Sequence, residues 1–160
     1  MGDIKRKRKL FSKPRKKFEA SRMSSENLVV KKYGLKNKRE IWKAEAHVDN
    51  IRRQVKKLIT SSPEEQEKLF EKLRNLGLKV KSTADALALT KEDWLKRRLQ
   101  SLLIEKKIAR TPKQARQLIS HKHIAIEKNI INIPSYPVPV DKEDKIEIIK
   151  IARKQEKENE

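Results

Sequence analysis

The chain has 160 residues, and Lys and Arg outnumber Asp and Glu by 42 to 22, for a formal net charge of +20. Charged residues make up 40% and aromatics only 4%, so a core built here is thin and aliphatic, and the chain repels itself until a polyanion neutralises it. The absence of cysteine excludes a disulfide framework and a thiolate zinc site; no stretch approaches the ~20 apolar residues of a membrane helix, and no apolar run follows the basic start as a secretory signal requires.

Residues 1–60 carry 20 basic and 6 acidic side chains, residues 61–93 carry 6 and 7, and residues 94–160 carry 16 and 9. This predicts a basic extended arm over 1–22, a helical domain over 23–93, a small C-terminal module over 94–151 and a charged tail over 152–160. In the arm, Lys5, Arg6, Lys7 and Arg8 have no apolar periodicity among them, so the segment stays extended until it meets an anion.

Ser25 to Tyr33 reads as a short helix stopped by Gly34. Asn37 opens a longer one, with Glu40 completing a capping box. Ile41, Ala44, Val48, Ile51, Val55 and Leu58 recur at helical spacing and form its inner face. Arg52, Arg53, Lys56 and Lys57 lie off that stripe. In an average protein they would be a solvated face; in a chain this basic they are candidate RNA contacts. Ser62-Pro63-Glu64-Glu65 reads as a second capping box, on a helix carrying Leu69, Phe70, Leu73 and Leu76 and ended by Gly77. Thr83 caps a further short turn.

Thr90 to Asp93 opens another helix, with Leu95, Leu99, Leu102 and Leu103 as one buried stripe and Arg97 and Arg98 beside it. Thr111-Pro112-Lys113-Gln114 is a third capping box, and Ala115, Leu118 and Ile119 face inward. After His123 the period changes: Ile124 and Ile126, then Ile131 and Ile133, alternate around Lys128-Asn129, which reads as a β-hairpin. Lys145 to Ile151 reads as a later strand. The fold class is therefore α+β: a helical region with a basic arm, plus a module of two helices packed on a short, mostly antiparallel, twisted sheet.

The chemistry concentrates between Arg110 and His123. A helix N-terminus offers N–H groups and partial positive charge to phosphate, and Arg110, Thr111, Lys113, Gln114, Arg116 and Gln117 surround this one. His121, Lys122 and His123 follow at the helix exit. Basic groups beside a strand edge suit shape recognition of folded RNA better than a DNA major groove. His121 and His123 alone lack the ligands a zinc site needs. Trp42 and Trp94 fit core or interface anchoring better than base stacking. Ser135 has no third orienting group for nucleophilic catalysis.

Arg97-Arg98-Leu99-Gln100, Ala109-Arg110-Thr111, Gln114 to Ile119, His121-x-His123-Ile124 and Pro134-Ser135-Tyr136 together resemble the small RNA-binding module of the fourth small-subunit ribosomal protein family. The opening Met1 to Lys9, Tyr33 to Lys43 and Leu73-x-x-Leu76-Gly77-Leu78 resemble the archaeal and eukaryotic form of that family, so the likeness runs along nearly the whole chain. It implies a structural constituent of the small ribosomal subunit, without enzymatic activity, cofactor, metal or small-molecule substrate. It further implies primary binding at a multi-helix junction in the 5′ domain of the ribosomal RNA, a role in assembly, and a position beside the fifth small-subunit protein near where messenger enters. From there the family affects decoding accuracy. The implied location is cytoplasmic ribosomes, off the membrane. The alternative is a ribosome-biogenesis factor of the same architecture. An RNA-modifying enzyme bearing the module would need a catalytic domain, for which no segment is long enough. The sequence departs from the family where glycines are usual: at Lys122, at the turn after Asn129, and at Lys106-Lys107.

Overall fold

The computed structural model describes residues 10–149. The arm residues Lys5, Arg6, Lys7 and Arg8, and the tail over 152–160, lie outside the described residues. Helix α1 spans Ala20–Tyr33, beginning a turn before Ser25 and taking in the end of the expected arm. The physical reason is Arg22. Its guanidinium pairs with Glu26 one turn on at 2.7 Å and donates to the Lys16 and Lys17 carbonyls at 2.9 and 3.0 Å. An i,i+4 pair of this kind supports helix, and here it also draws the preceding chain onto it. Gly34, in the left-handed conformation at φ 58°, stops the helix and donates its N–H to Val30.

Helix α2, Arg39–Leu58, buries Ile41, Ala44, Val48, Ile51 and Val55. Asn37 Oδ1 accepts the Glu40 N–H at 3.3 Å, but Glu40 Oε1 returns to the Lys36 N–H, not to that of Asn37. Helix α3, Pro63–Asn75, forms without the expected capping box: the Ser62 side chain makes no cap. Instead the Ser62 carbonyl receives the Glu65 and Gln66 N–H groups, and Gln66 Nε2 donates to the Leu58 carbonyl at 2.9 Å. In helix α4, Thr83–Ala88, Ser82 is the cap where Thr83 was expected, exchanging hydrogen bonds with Asp85.

The single helix expected from Thr90 is two. Helix α5, Lys91–Lys96, ends at Arg97, and α6, Leu99–Glu105, starts after an extended Arg98. The break is imposed from a distance. The Pro134–Val138 loop lies along it, taking the Leu99 N–H on the Tyr136 carbonyl at 2.8 Å and donating the Val138 N–H to the Arg97 carbonyl at 3.2 Å. Helix α7 spans Pro112–Ser120. The sheet, ordered β2-β1-β3 and antiparallel throughout, comprises β1 Ile124–Ile126, β2 Asn129–Ile130 and β3 Ile146–Ile148. Ile126 pairs with Asn129, so the hairpin turns on Glu127-Lys128, one residue earlier than expected. Both turn residues have positive φ, 51° and 69°, as a two-residue type I′ hairpin needs. The final strand is shorter than the 145–151 expected among the residues described.

The core lies in three connected parts. α6, α7 and the sheet close around Leu99, Leu102, Leu103, Ile119 and Ile124. The second half of α2 packs with α3 and α4 around Val48, Val55, Phe70 and Leu73. The first half of α2 packs with α1 and α5 around Tyr33, Ile41 and Leu95, and Trp94 touches both of these helical clusters. The architecture is α+β.

Candidate nucleic-acid interface

The expected contact residues divide into two sets by what their side chains do. Arg97, Arg98 and Arg116 face inward. Arg97 donates to the Leu76 and Val138 carbonyls at 3.0 and 3.1 Å and pairs with Glu143 at 3.0 Å. It lies so close over Gly77 that a Cβ there would collide with its guanidinium. Arg98 and Arg116 converge on one carboxylate: Arg98 reaches Glu40 Oε2 at 2.5 Å and Arg116 reaches Glu40 Oε1 at 2.8 Å. Arg116 also donates to the Gly34 carbonyl at 3.2 Å. Arg98 is 5% exposed and Glu40 15%, and a pair this dry is costly to break. Arg52 likewise spends its guanidinium on the Leu87 and Leu89 carbonyls at the end of α4.

Beside the Glu40 cluster, buried Gln100 uses its Nε2 on the Tyr33, Gly34 and Pro112 carbonyls at 3.2, 3.1 and 2.8 Å. Gly34 approaches Pro112 so closely that a Cβ would sit 2.5 Å from the proline Cβ. These groups lock α7 against the α1–α2 corner, so the helical domain and the sheet-bearing unit hold a fixed relative orientation.

The second set faces outward. Arg110, Lys113, Gln117, His121 and Lys122 are exposed, and their side chains have no hydrogen-bond or ion-pair partner among the described residues. Lys113, Gln117 and Ser120 recur at helical spacing opposite the buried Ala115 and Ile119, giving α7 an outer face free of carboxylates. On α2, Arg53 and Lys57 share an outer stripe with Arg39, Lys43 and Asn50, all exposed; Lys56 lies on its flank, as does Asp49, which pairs with Arg52 at 3.6 Å. Sequence reasoning missed Arg39 and Lys43. The signal was available, since both stand at helical intervals from Arg53 and Lys57.

Two details of the expected anion site change. The Thr111 hydroxyl caps the Gln114 N–H at 3.2 Å, Gln114 Oε1 takes the Arg110 N–H at 2.9 Å, and Pro112 has no N–H. Only the Lys113 N–H of the first turn lacks a protein acceptor among the described residues, so side-chain charge, not a ring of open amides, dominates here. At the exit, His123 is half-buried with Nδ1 3.3 Å from the Ile149 carbonyl, while His121 stays outside. The glycine departures cost little geometry: Lys107 and Lys122 both hold positive φ, 59° and 63°, and thereby project cations at two turns.

Glu127 lies between Lys142 at 2.7 Å and Lys145 at 2.5 Å. Their hydrogen bonds hold its carboxyl at about 2, well below the usual carboxylate range. Burial pushes the Glu26 carboxyl up, but hydrogen bonds from Trp42, Arg22 and Lys38 outweigh it and leave the group below its ordinary value. No cluster of three or more metal-ligating side chains occurs among the described residues, and no described helix is long and apolar enough to cross a membrane.

The S4 domain family matches residues 97–144. The chain is 44% identical over 153 residues to small ribosomal subunit protein uS4 of Methanococcus aeolicus, an alignment spanning 91% of this chain and 86% of the relative. It is 41% identical to the protein of that name from Methanothermobacter thermautotrophicus, over 91% of this chain and 89% of the relative. It is 40% identical to that of Saccharolobus islandicus, over 92% and 85%. With the α+β architecture and the S4 domain placed on α6, α7 and the β1–β2 hairpin, likeness of this extent along both chains shows that the protein belongs to the family of small ribosomal subunit protein uS4.

Proposed function

We propose that this chain is a structural constituent of the small ribosomal subunit that binds ribosomal RNA directly, as a ribosomal protein and not an enzyme. The observation that carries the reading is a pair of basic faces, on α7 and on α2, held in one orientation by the Glu40 and Gln100 locks. Two rigid rows of cations fit the phosphates of a folded RNA junction better than those of a single straight duplex. On this reading Arg110, Lys113, Gln117, His121 and Lys122 contact the RNA from one side and Arg53, Lys56 and Lys57 from another, while Thr111 and Gln114 shape the loop. Arg52, Arg97, Arg98, Arg116 and His123 hold the scaffold.

The target is a multi-helix junction in the 5′ domain of the small-subunit RNA, occupied early in assembly. In the finished subunit the protein lies beside the fifth small-subunit protein, near where messenger enters, and influences decoding accuracy. Its place is the cytoplasmic ribosome. If ~6–10 phosphates are neutralised, affinity falls roughly 10³–10⁵-fold between 50 and 200 mM salt. Crosslinking in intact ribosomes with RNA sites mapped tests the assignment. Crosslinks from the α7 face to such a junction are expected. Recovery from precursor particles alone, with none in translating ribosomes, would replace it with a biogenesis factor of the same architecture.

A further inference from the structure

A cleft of about 490 Å³ opens between the first half of α2 and the Pro134–Pro137 loop, within the ~300–1,000 Å³ range of small-molecule clefts. Its lining includes four cations, Arg39, Lys43, Arg98 and Arg116, against one carboxylate, Glu40. Since Glu40 is shared by Arg98 and Arg116, positive charge is left over at the wall. Lys43 is exposed and has no partner among the described residues. The cleft also holds a flat surface: the His47 ring is stacked on Trp94, centroids 4.7 Å apart and planes 14° from parallel. Trp94 is anchored in the helical core, whereas His47 is exposed, so one face of a held imidazole remains open beside a lysine.

We propose that this cleft binds one unpaired nucleotide of RNA, its base stacked on the His47 ring and its phosphate on Lys43. The chemistry is the pairing by which proteins hold single-stranded nucleic acid: an aromatic face for the base and a cation for the backbone. Any base has a π-face, so the site tolerates all four. Arg98 and Arg116 set the positive field of the wall without leaving their bonds to Glu40. The inference rests on the ribosomal RNA reading and deepens it, giving the helical domain an extruded-base pocket apart from the phosphate-reading face of α7.

The test uses the full chain, a fluorescein-labelled hexanucleotide of adenosine, and a separate small-subunit RNA junction, with binding read by anisotropy at fixed salt. His47→Ala is expected to weaken hexanucleotide binding by roughly 5- to 150-fold, the range one base–aromatic stack carries. His47→Phe, which keeps a ring, is expected to retain it, and Lys43→Gln to lower the salt slope by about one. Unchanged affinity in His47→Ala overturns the proposal. Equal loss in His47→Ala and His47→Phe also overturns it, since stacking alone should survive in the latter. Lys113→Gln should weaken the junction and spare the hexanucleotide. A protein that binds the junction but not the hexanucleotide loses this site and keeps the ribosomal reading; one that binds neither loses both.

Discussion

Glu40 shows how a single residue decides which arginines are available. Its carboxylate takes hydrogen bonds from Arg98, Arg116 and the Lys36 backbone, so two guanidiniums that sequence reasoning sends toward RNA are held in place instead. Removing the carboxylate leaves Arg98 buried and unpaired, which costs more than the pair itself contributes. Glu40→Ala is therefore expected to destabilise the protein by about 3–5 kcal/mol in urea unfolding. Lys113→Ala, at an exposed position with no partner among the described residues, is expected to shift stability by no more than about 0.5 kcal/mol while weakening RNA binding. If Glu40→Ala unfolds at the wild-type urea concentration, the buried pairing is not a structural tie.

At the scale of elements, helix existence and inward faces were legible in the sequence because they depend on local spacing: α2 buries five of the six residues its periodicity selects. Thr111 caps where expected for the same reason. The break between α5 and α6 was hidden, because it is made by carbonyls of a loop more than thirty residues further on. The inward turn of Arg98 and Arg116 was hidden likewise: their shared partner is 58 and 76 residues away in sequence. The hairpin turn falls one residue before the position expected for it, and the turns at Lys107 and Lys122 were readable in position but not in residue type. Lys107 and Lys122 carry positive φ without glycine, at a steric cost of about 1–2 kcal/mol for an L-residue. Glycine relieves that cost but gains freedom in the unfolded chain. Lys107→Gly and Lys122→Gly are each expected to stabilise the fold by about 0.5–1 kcal/mol in thermal melts. Lys122→Gly should also lower the salt slope of RNA binding by about one, so that stability and affinity move in opposite directions; a rise in both would show that Lys122 is no contact.

The β1–β2 turn and the chain before β3 are joined by Glu127 with Lys142 and Lys145. The folded carboxyl sits at about 2 against an ordinary 4.5. A depressed folded value means the group contributes stability above the unfolded value, and that contribution is lost as pH falls from about 4.5 toward 2. The group is partly open to solvent, so water and salt screen the effect and it stays local. Amide exchange around Ile126 and Ile146 should therefore speed up on acidification more in the wild type than in Glu127→Gln, which lacks the titrating group. Identical acid responses would remove the ion-pair account of this joint.

For the whole molecule, what matters is that two modest basic faces act as one. Neither α7 nor α2 has enough outward cations to account for strong binding alone, but sites held at a fixed separation gain effective concentration without any new contact. The joint that fixes them turns on Gly34. It has φ 58°, its carbonyl receives Gln100 and Arg116, and its Cα leaves no room for a Cβ against Pro112. Gly34→Ala changes no charge, so a purely electrostatic account predicts unchanged affinity. If orientation matters, the substitution forces α7 away from the α1–α2 corner and the two faces no longer meet one junction together. Affinity for a small-subunit RNA junction is then expected to fall by roughly 10²-fold, the low end of what linking two sites contributes. The salt slope should fall with it, because fewer phosphates are engaged at once. Far-UV circular dichroism should retain the helical signal, since each part keeps its own core. Wild-type affinity and slope in a folded Gly34→Ala protein would mean that the faces bind independently and that the fixed joint between them has no part in RNA recognition.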